Sequence, residues 1–255
     1  MMMNFTLSNQ VQIPAVGIGT FMMTPDQAEQ AVVDALACGY RMIDTAQAYM
    51  NERAVGRGIK RSGVAREDIF ISTKIWVSQY LTEGTVEKSL ELLGTDYIDL
   101  MFIHQPAGDF MAGYRKLETV AIRPMVNQIE MHPYFAQESA LKVMEEYQIV
   151  PEAWAPLGGG RHNPFDNEMV KEIAAAHRKT VGQVVLRWNV QRGVVVIPKS
   201  VHKARIEENF QIWDFTLTEE EMQKISSLDL GYQGTAVKHF DPEFVKMCNT
   251  RKIHE

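Results

Sequence analysis

Cysteine is nearly absent: Cys38 and Cys248 are the two in 255 residues, too few for a disulfide framework, and nothing else marks a secreted chain. No run approaches about 18 apolar residues, so no membrane span is expected. The opening stretch, MMMNFTLSNQ, has no basic region followed by an apolar one, so no leader is expected and the cytoplasm is the expected compartment. Positive charge is in short supply, 26 Lys and Arg against 32 Asp and Glu for a net charge of −6. The cations are scattered rather than striped, which argues against a nucleic-acid face. Any anionic ligand must therefore be met by local positive groups. Pro/Ser-rich linkers and low-complexity tracts are missing, so residues 1–255 read as a single domain. A GxGxxG fingerprint after a strand is missing too, since VGIGT leads into no such glycine pattern, and a Rossmann domain is disfavoured.

What is present is a hydrophobic content of 45%, enough for a sizeable core, and a rhythm. Apolar strand-like runs alternate with helix-like runs. AVGIGT (15–20) leads to TPDQAEQAVVDALACGY, with Thr24 as N-cap, Pro25 at the first helical position and Gly39 past the end. RMIDTA (41–46) leads to a helix over 51–63. IFISTKI (69–75) leads to TEGTVEKSLELLG (82–94), whose Val86, Leu90 and Leu93 share one face. YIDLMFIH (97–104), MVNQIEM (125–131), VPEAWAPL (150–157) and VVVIP (194–198) read as further strands among helices. Continuous apolar strands imply burial on both faces, and their alternation with helices implies a parallel sheet. At this length an eight-fold α/β barrel, the (β/α)8 TIM barrel, fits better than an open sheet.

One interval breaks the rhythm. Gln105 to Pro124 is 20 residues long, whereas a further helix, strand and helix with their loops need roughly 40. It holds one short helix candidate, AGYRKLE (112–118), and then TVAIRP. The chain thus reads as a barrel whose fourth helix, fifth strand and fifth helix region is truncated or missing near Glu118–Thr119.

Three successive strands end on a titratable residue: Asp44 after RMI, Lys74 after FIST and His104 after LMFI, with Tyr49 just beyond the first. In a parallel barrel the carboxyl ends of all strands share one rim, so these four side chains would converge. They suit proton donation by a phenol. A tyrosine with an ordinary pKa near 10 is a weak acid at neutral pH, and a nearby ammonium stabilises its phenolate. Asp44 would hold Lys74 charged and fixed, and His104 would bond the same substrate oxygen as Tyr49. Singly, each residue has an ordinary structural explanation: a cap, a core imidazole, a solvated amine or a packed ring. After VVVIP, the segment IPKSVHKARIEEN (197–209) brings Lys199, Lys203, Arg205 and the Ser200 hydroxyl to the start of a helix, where backbone N–H groups favour phosphate. Glu130 and His132 sit two apart without a third metal ligand of suitable spacing, so no metal is expected.

The segments GYRMIDTAQAYMNERAVG, ISTKIW, LMFIHQP, MVNQIEMHPYF, AWAPLG and VVVIPKSVHKARIEENF together resemble the successive signatures of the aldo-keto reductase family, over about residues 11–230. The general look is that of the microbial branch, resembling 2,5-diketo-gluconate and glyoxal reductases. The resemblance implies an eight-stranded α/β barrel and NADPH-dependent reduction of small aldehydes and ketones (keto-acids, keto-sugars, glyoxals) to alcohols, with NADH as the alternative carrier. It carries the catalytic tetrad onto Asp44, Tyr49, Lys74 and His104. It puts Lys199 and Arg205 at a ribose 2′-phosphate, Ser200 in the same cofactor-binding segment, and Glu208 and Asn209 beside adenine. Trp154 would stack on the nicotinamide and Gln128 bond its carboxamide. Gly19, Thr20 and Phe21 match a loop near cofactor and substrate, and Trp76 lines the pocket. The tail CNTRKIHE is too short for a long loop over a bulky substrate. The expected partner is a small carbonyl compound, with no nucleic acid and no membrane, and the expected state is a monomer.

Within the short interval nothing matches the family's fifth strand, which ends in a Ser-Asn pair. Residues present in the molecule but missing from this sequence, a genuine deletion with rearrangement or dimerisation, and a damaged relative that binds cofactor poorly are the three accounts of it. Two other functions remain as alternatives: a nucleotide-binding relative without turnover, acting as redox sensor or structural protein, and a Schiff-base enzyme using Lys74, against which the Asp44 neighbour argues.

Overall fold

The computed structural model describes residues 3–118, 124–160, 162–235, 241–251 and 253. In chain order come β1 (Asn4–Thr6), β2 (Gln12–Pro14), β3 (Ile18–Gly19), α1 (Pro25–Cys38), β4 (Met42–Asp44), α2 (Glu52–Ser62), β5 (Phe70–Ile75), α3 (Thr85–Leu93), β6 (Leu100–Ile103) and α4 (Phe110–Glu118). There follow β7 (Val126–Glu130), α5 (Glu138–Glu146), β8 (Val150–Trp154), α6 (Glu168–His177), α7 (Val181–Gln191), β9 (Val195–Val196), α8 (Lys203–Phe210), α9 (Glu219–Ser226) and α10 (Pro242–Thr250). They gather into two compact units: Met1–Gly17 with Pro124–Lys199 and Ala204–Ala236, and Ile18–Arg123 with Ser200–Lys203 and Val237–Glu255.

The unit that begins at Ile18 is built on a parallel sheet of order β3-β4-β5-β6. All of β4 and β5 is buried, as expected of strands covered on both faces. In contrast, β6 is half-buried throughout despite its apolar LMFI sequence. It is an edge strand that pairs with β5 alone among the described residues, and the chain passes from it through α4 to residues 119–123, outside the described set. Helix α1 starts and stops where its sequence says. Thr24 and Gln27 form a capping box, Pro25 needs no N–H partner, and Gly39 closes the helix at φ 112°. The inward side of α3 includes polar residues beside its apolar face. Thr85 and Ser89 are buried with Leu93, while Val86 and Leu90 are half-buried. The reason is polar: the Gln47 amide donates to the hydroxyls of Thr85 (3.1 Å) and Ser89 (3.2 Å). Helices α2 and α3 approach so closely that a Cβ on Gly56 would stand 2.2 Å from the Leu93 carbonyl oxygen.

The other unit holds the antiparallel β1–β2 hairpin and a parallel sheet of order β7-β8-β9, with Val16 bridging to Val196. Its core packs Val184, Val185 and Trp188 of α7 against Val170, Ile173 and Ala174 of α6 and Ile225 of α9. Burial of each large side chain there stabilises by about 1.5–3 kcal/mol. Side-chain caps fix the helix starts: Asn167 for α6, Thr180 with Gln183 for α7, and Thr218 with Glu221 for α9.

Candidate active site

Register brings the first carboxylate and amine together. Asp44 lies level with Gly19 on one side and Ser72 on the other. Side chains two apart on a strand share a face, so Ser72 and Lys74 both turn towards Asp44. The Lys74 ammonium donates to Asp44 Oδ1 at 2.6 Å and Oδ2 at 2.7 Å, and to the Thr45 carbonyl at 2.8 Å. Ser72 Oγ donates to Asp44 Oδ2 at 2.9 Å. Both members of the ion pair have side chains only 2% exposed. An amine so buried keeps its charge only because several acceptors replace water.

Tyr49 ends a short 3-10 turn, Gln47–Tyr49, that follows β4, and the chain leaves it through Met50 at φ 56°. A non-glycine residue in that region is a strained choice that the surroundings must enforce. Lys74 Nζ lies 5.1 Å from the Tyr49 ring centroid. His104 follows β6 directly, its backbone N–H bound to Ile75 O at 3.1 Å. Its ring meets Tyr49 edge-on at 5.5 Å and Trp76 edge-on at 4.9 Å. Burial first, then the charges of Lys74 and Arg251, hold the imidazole well below its usual value of 6.5, so it is neutral at physiological pH. Its Nδ1 is buried without a hydrogen-bond partner among the described residues. Asp44, Tyr49, Lys74 and His104 thus lie together at the carboxyl ends of β4, β5 and β6.

The loop after β3 is tied to the same place. Thr20 is fully buried, and both its N–H (3.0 Å) and its hydroxyl (3.1 Å) donate to Asp44 O. Phe21 is 53% exposed and meets the Tyr49 ring edge-on at 5.2 Å. Trp76 is buried, and its indole N–H donates 2.9 Å to the Cys248 carbonyl of α10. Helix α10 therefore packs on this wall, and Cys248–Thr250, the first residues of the short tail, belong to it.

Asn51 is the residue that sequence reading passed over. It stands where a helix cap belongs, yet its side chain caps nothing. Instead its amide donates to Thr20 O (2.9 Å) and Met23 O (3.2 Å), and its Oδ1 accepts from Thr45 Oγ1 at 3.0 Å. Glu52 is buried too, accepting from Thr73 Oγ1 at 2.7 Å, and burial raises its carboxyl pKa.

The remaining candidates are described in the other unit, apart from Ser200. Gln128, on β7, donates to Glu152 of β8. Trp154, half-buried, ends β8. Lys199 and Arg205 are exposed and have no carboxylate partner among the described residues. Asn209 is buried on α8, and Glu208 accepts from Thr180 Oγ1 at 2.8 Å. Ser200 is buried and accepts the His202 N–H at 3.1 Å.

Comparisons place this geometry among known proteins. A family model described as the aldo/keto reductase family matches residues 15–120 and 111–230, two pieces that overlap inside the short interval. The chain is 42% identical over 257 residues to a 9,11-endoperoxide prostaglandin H2 reductase of Trypanosoma cruzi, covering 88% of this chain and 90% of that protein. An alignment of 257 positions takes in only part of a 255-residue chain, so a stretch of the relative has no counterpart here. A glyoxal reductase of Bacillus subtilis is 41% identical, with 88% and 91% of the two chains covered. Among solved structures, an aldo-keto reductase from a deep-sea metagenome library superposes with a TM-score of 0.87 at 36% identity, over 92% of this chain and 97% of that one. An aldo-keto reductase of Bombyx mori, solved in complex with NADP, gives 0.86 at 29% identity over 96% and 97%.

Proposed function

Since the chain belongs to the aldo/keto reductase family and is an oxidoreductase with that family's α/β-barrel fold class, we propose that it reduces small aldehydes and ketones to alcohols with NADPH, Tyr49 giving the proton. Keto-acids, keto-sugars and glyoxals are the substrate class. The observation that carries this reading is the buried Lys74, bonded to both Asp44 oxygens and 5.1 Å from the Tyr49 ring centroid.

A dinucleotide, when bound, would supply the hydride that the carbonyl carbon takes up. Tyr49 Oη gives its proton to the carbonyl oxygen, so the product is the alcohol and the residue is left as phenolate. The Lys74 ammonium stabilises that phenolate, and Asp44 and the Thr45 carbonyl hold the ammonium in place. A solvent proton then restores the phenol. His104, neutral in its buried setting, orients the carbonyl by a hydrogen bond without competing as an acid. Its buried Nδ1, without a hydrogen-bond partner among the described residues, supports a bound group at this place. Lys199 and Arg205, exposed cations without carboxylate partners among the described residues, would hold the ribose phosphate, with Ser200, Glu208 and Asn209 alongside. Trp154 and Gln128 would hold the nicotinamide, and Gly19, Thr20, Phe21 and Trp76 would line the approach.

The test is the loss of NADPH absorbance with methylglyoxal. Tyr49→Phe should lower kcat by about 10²–10⁴-fold, the range for a positioned general acid, and equal rates in the two proteins would remove Tyr49 from this role. A second reading, cofactor binding without turnover, is favoured by the absence of any Ser-Asn pair between residues 105 and 125. It predicts NADPH binding with no oxidation across a broad carbonyl panel.

A further inference from the structure

The tail carries a cation that the proposed reduction does not use. Arg251 follows α10 directly and is exposed. Its Nη2 donates 3.1 Å to the backbone oxygen of Ala48, the residue before Tyr49. Its guanidinium carbon lies 5.5 Å from the Trp76 ring centroid, and the same ring meets His104 at 4.9 Å. These two distances in series keep the guanidinium within about 10 Å of the imidazole, a range over which a charge is felt in a partly buried place. The depressed pKa of His104, to which Arg251 contributes, agrees.

The charges nearby explain why this matters. Lys74 is buried, and its ammonium is taken up by Asp44, the Thr45 carbonyl and the neighbouring Tyr49, so the acid end of a substrate needs a different cation. Arg251 has no carboxylate partner among the described residues; its contacts are a carbonyl and an aromatic ring. An arginine has five N–H donors, and one bond to Ala48 leaves a guanidinium edge for a bidentate carboxylate. The chain as a whole carries a charge of −6 and repels anions at long range, so an acidic substrate needs a local cation.

Building on the carbonyl-reductase reading, we propose that Arg251 holds a carboxylate carried by the carbonyl substrate, which makes acidic aldehydes and ketones the class this site prefers. The carbonyl oxygen goes to Tyr49 and His104, and the acid end is held at the far side of Trp76. A purely structural use of Arg251, as a strut from the tail to Ala48, would affect charged and neutral substrates alike.

The experiment compares succinic semialdehyde with its neutral methyl ester, using NADPH and the full chain, in wild type, Arg251→Met and Arg251→Lys. The wild type is expected to favour the acid in kcat/KM. Arg251→Met should cut the acid-to-ester ratio by about 10- to 100-fold, the worth of a charge-assisted hydrogen bond, chiefly through the KM of the acid. Arg251→Lys should retain an intermediate ratio. Added salt should erode the preference in wild type and leave the ratio of Arg251→Met unmoved. A wild-type ratio near one, or an equal fall with both substrates in Arg251→Met, overturns the assignment. Methylglyoxal separates the two levels. If it is reduced while the ratio stays near one, only the Arg251 proposal fails. If no carbonyl, methylglyoxal included, is reduced, the reductase reading fails and takes the Arg251 assignment with it.

Discussion

Asp44→Asn tests the energetic centre of the site. The change keeps size and one acceptor but puts an amide NH2 where an oxygen now faces the Lys74 ammonium, 2.6–2.7 Å away. Ser72 loses a carboxylate acceptor as well. With both side chains 2% exposed, water cannot compensate, and removing one partner of a buried pair costs about 3–5 kcal/mol. At roughly 2–4 °C per kcal/mol for a chain of this size class, the melting temperature should fall by about 6–20 °C. The internal control is Glu168→Gln, which breaks an ion pair whose side chains are 44% and 81% exposed. That change should move the melting temperature little, because solvent screens the pair. Thermal unfolding followed by circular dichroism gives both numbers, and NADPH oxidation at temperatures where both proteins are folded gives the functional effect. The expected activity loss is at least tenfold, because the charge that stabilises the Tyr49 phenolate is no longer held. A fall in stability no greater than that of Glu168→Gln would refute the reasoning.

Three further outcomes follow from the same geometry. Burial raises the Glu52 carboxyl, so its folded form keeps a proton where the unfolded chain has released it; stability is present below about pH 4.5 and is lost as pH rises. Glu52→Gln should therefore melt higher than wild type at pH 8, with the advantage shrinking towards pH 5, and a lower melting temperature at both would contradict this. His104 has the opposite sign: its folded pKa is depressed, so stability is full above about 6.5 and falls as pH drops, by at most about 1.4 kcal/mol per pH unit from this group. Denaturant titrations at pH 7.5 and 5.5 should show a smaller acid-side loss in His104→Gln than in wild type. Gly56→Ala puts a methyl 2.2 Å from the Leu93 carbonyl oxygen and should destabilise by about 1–3 kcal/mol by forcing α2 from α3, which the denaturation midpoint measures.

Much of this was legible where the signal is local. Thr24, Pro25 and Gly39 bound α1 because capping chemistry lies within a few residues of the helix it limits. That Asp44, Lys74 and His104 stand near strand ends could be read from the apolar runs before them, although Asp44 alone ends its strand: Lys74 is one residue short of the end of β5 and His104 one residue past β6. Legibility failed where partners are remote. Nothing near Thr85 and Ser89 announces that their hydroxyls meet Gln47, 38 and 42 residues away. Asn51 was passed over because its partners, Thr20 and Met23, lie 31 and 28 residues back. The half-burial of β6 depends on what stands beside it, which its own LMFI sequence does not state.

The hydrogen bond from the Trp76 indole to the Cys248 carbonyl has an optical consequence. One of four tryptophans in the chain has its N–H held by the tail and its face beneath Arg251. Detachment of α10 would hydrate that indole and shift its emission to the red. The chain thus carries its own fluorophore at the junction of tail and pocket, with no label required.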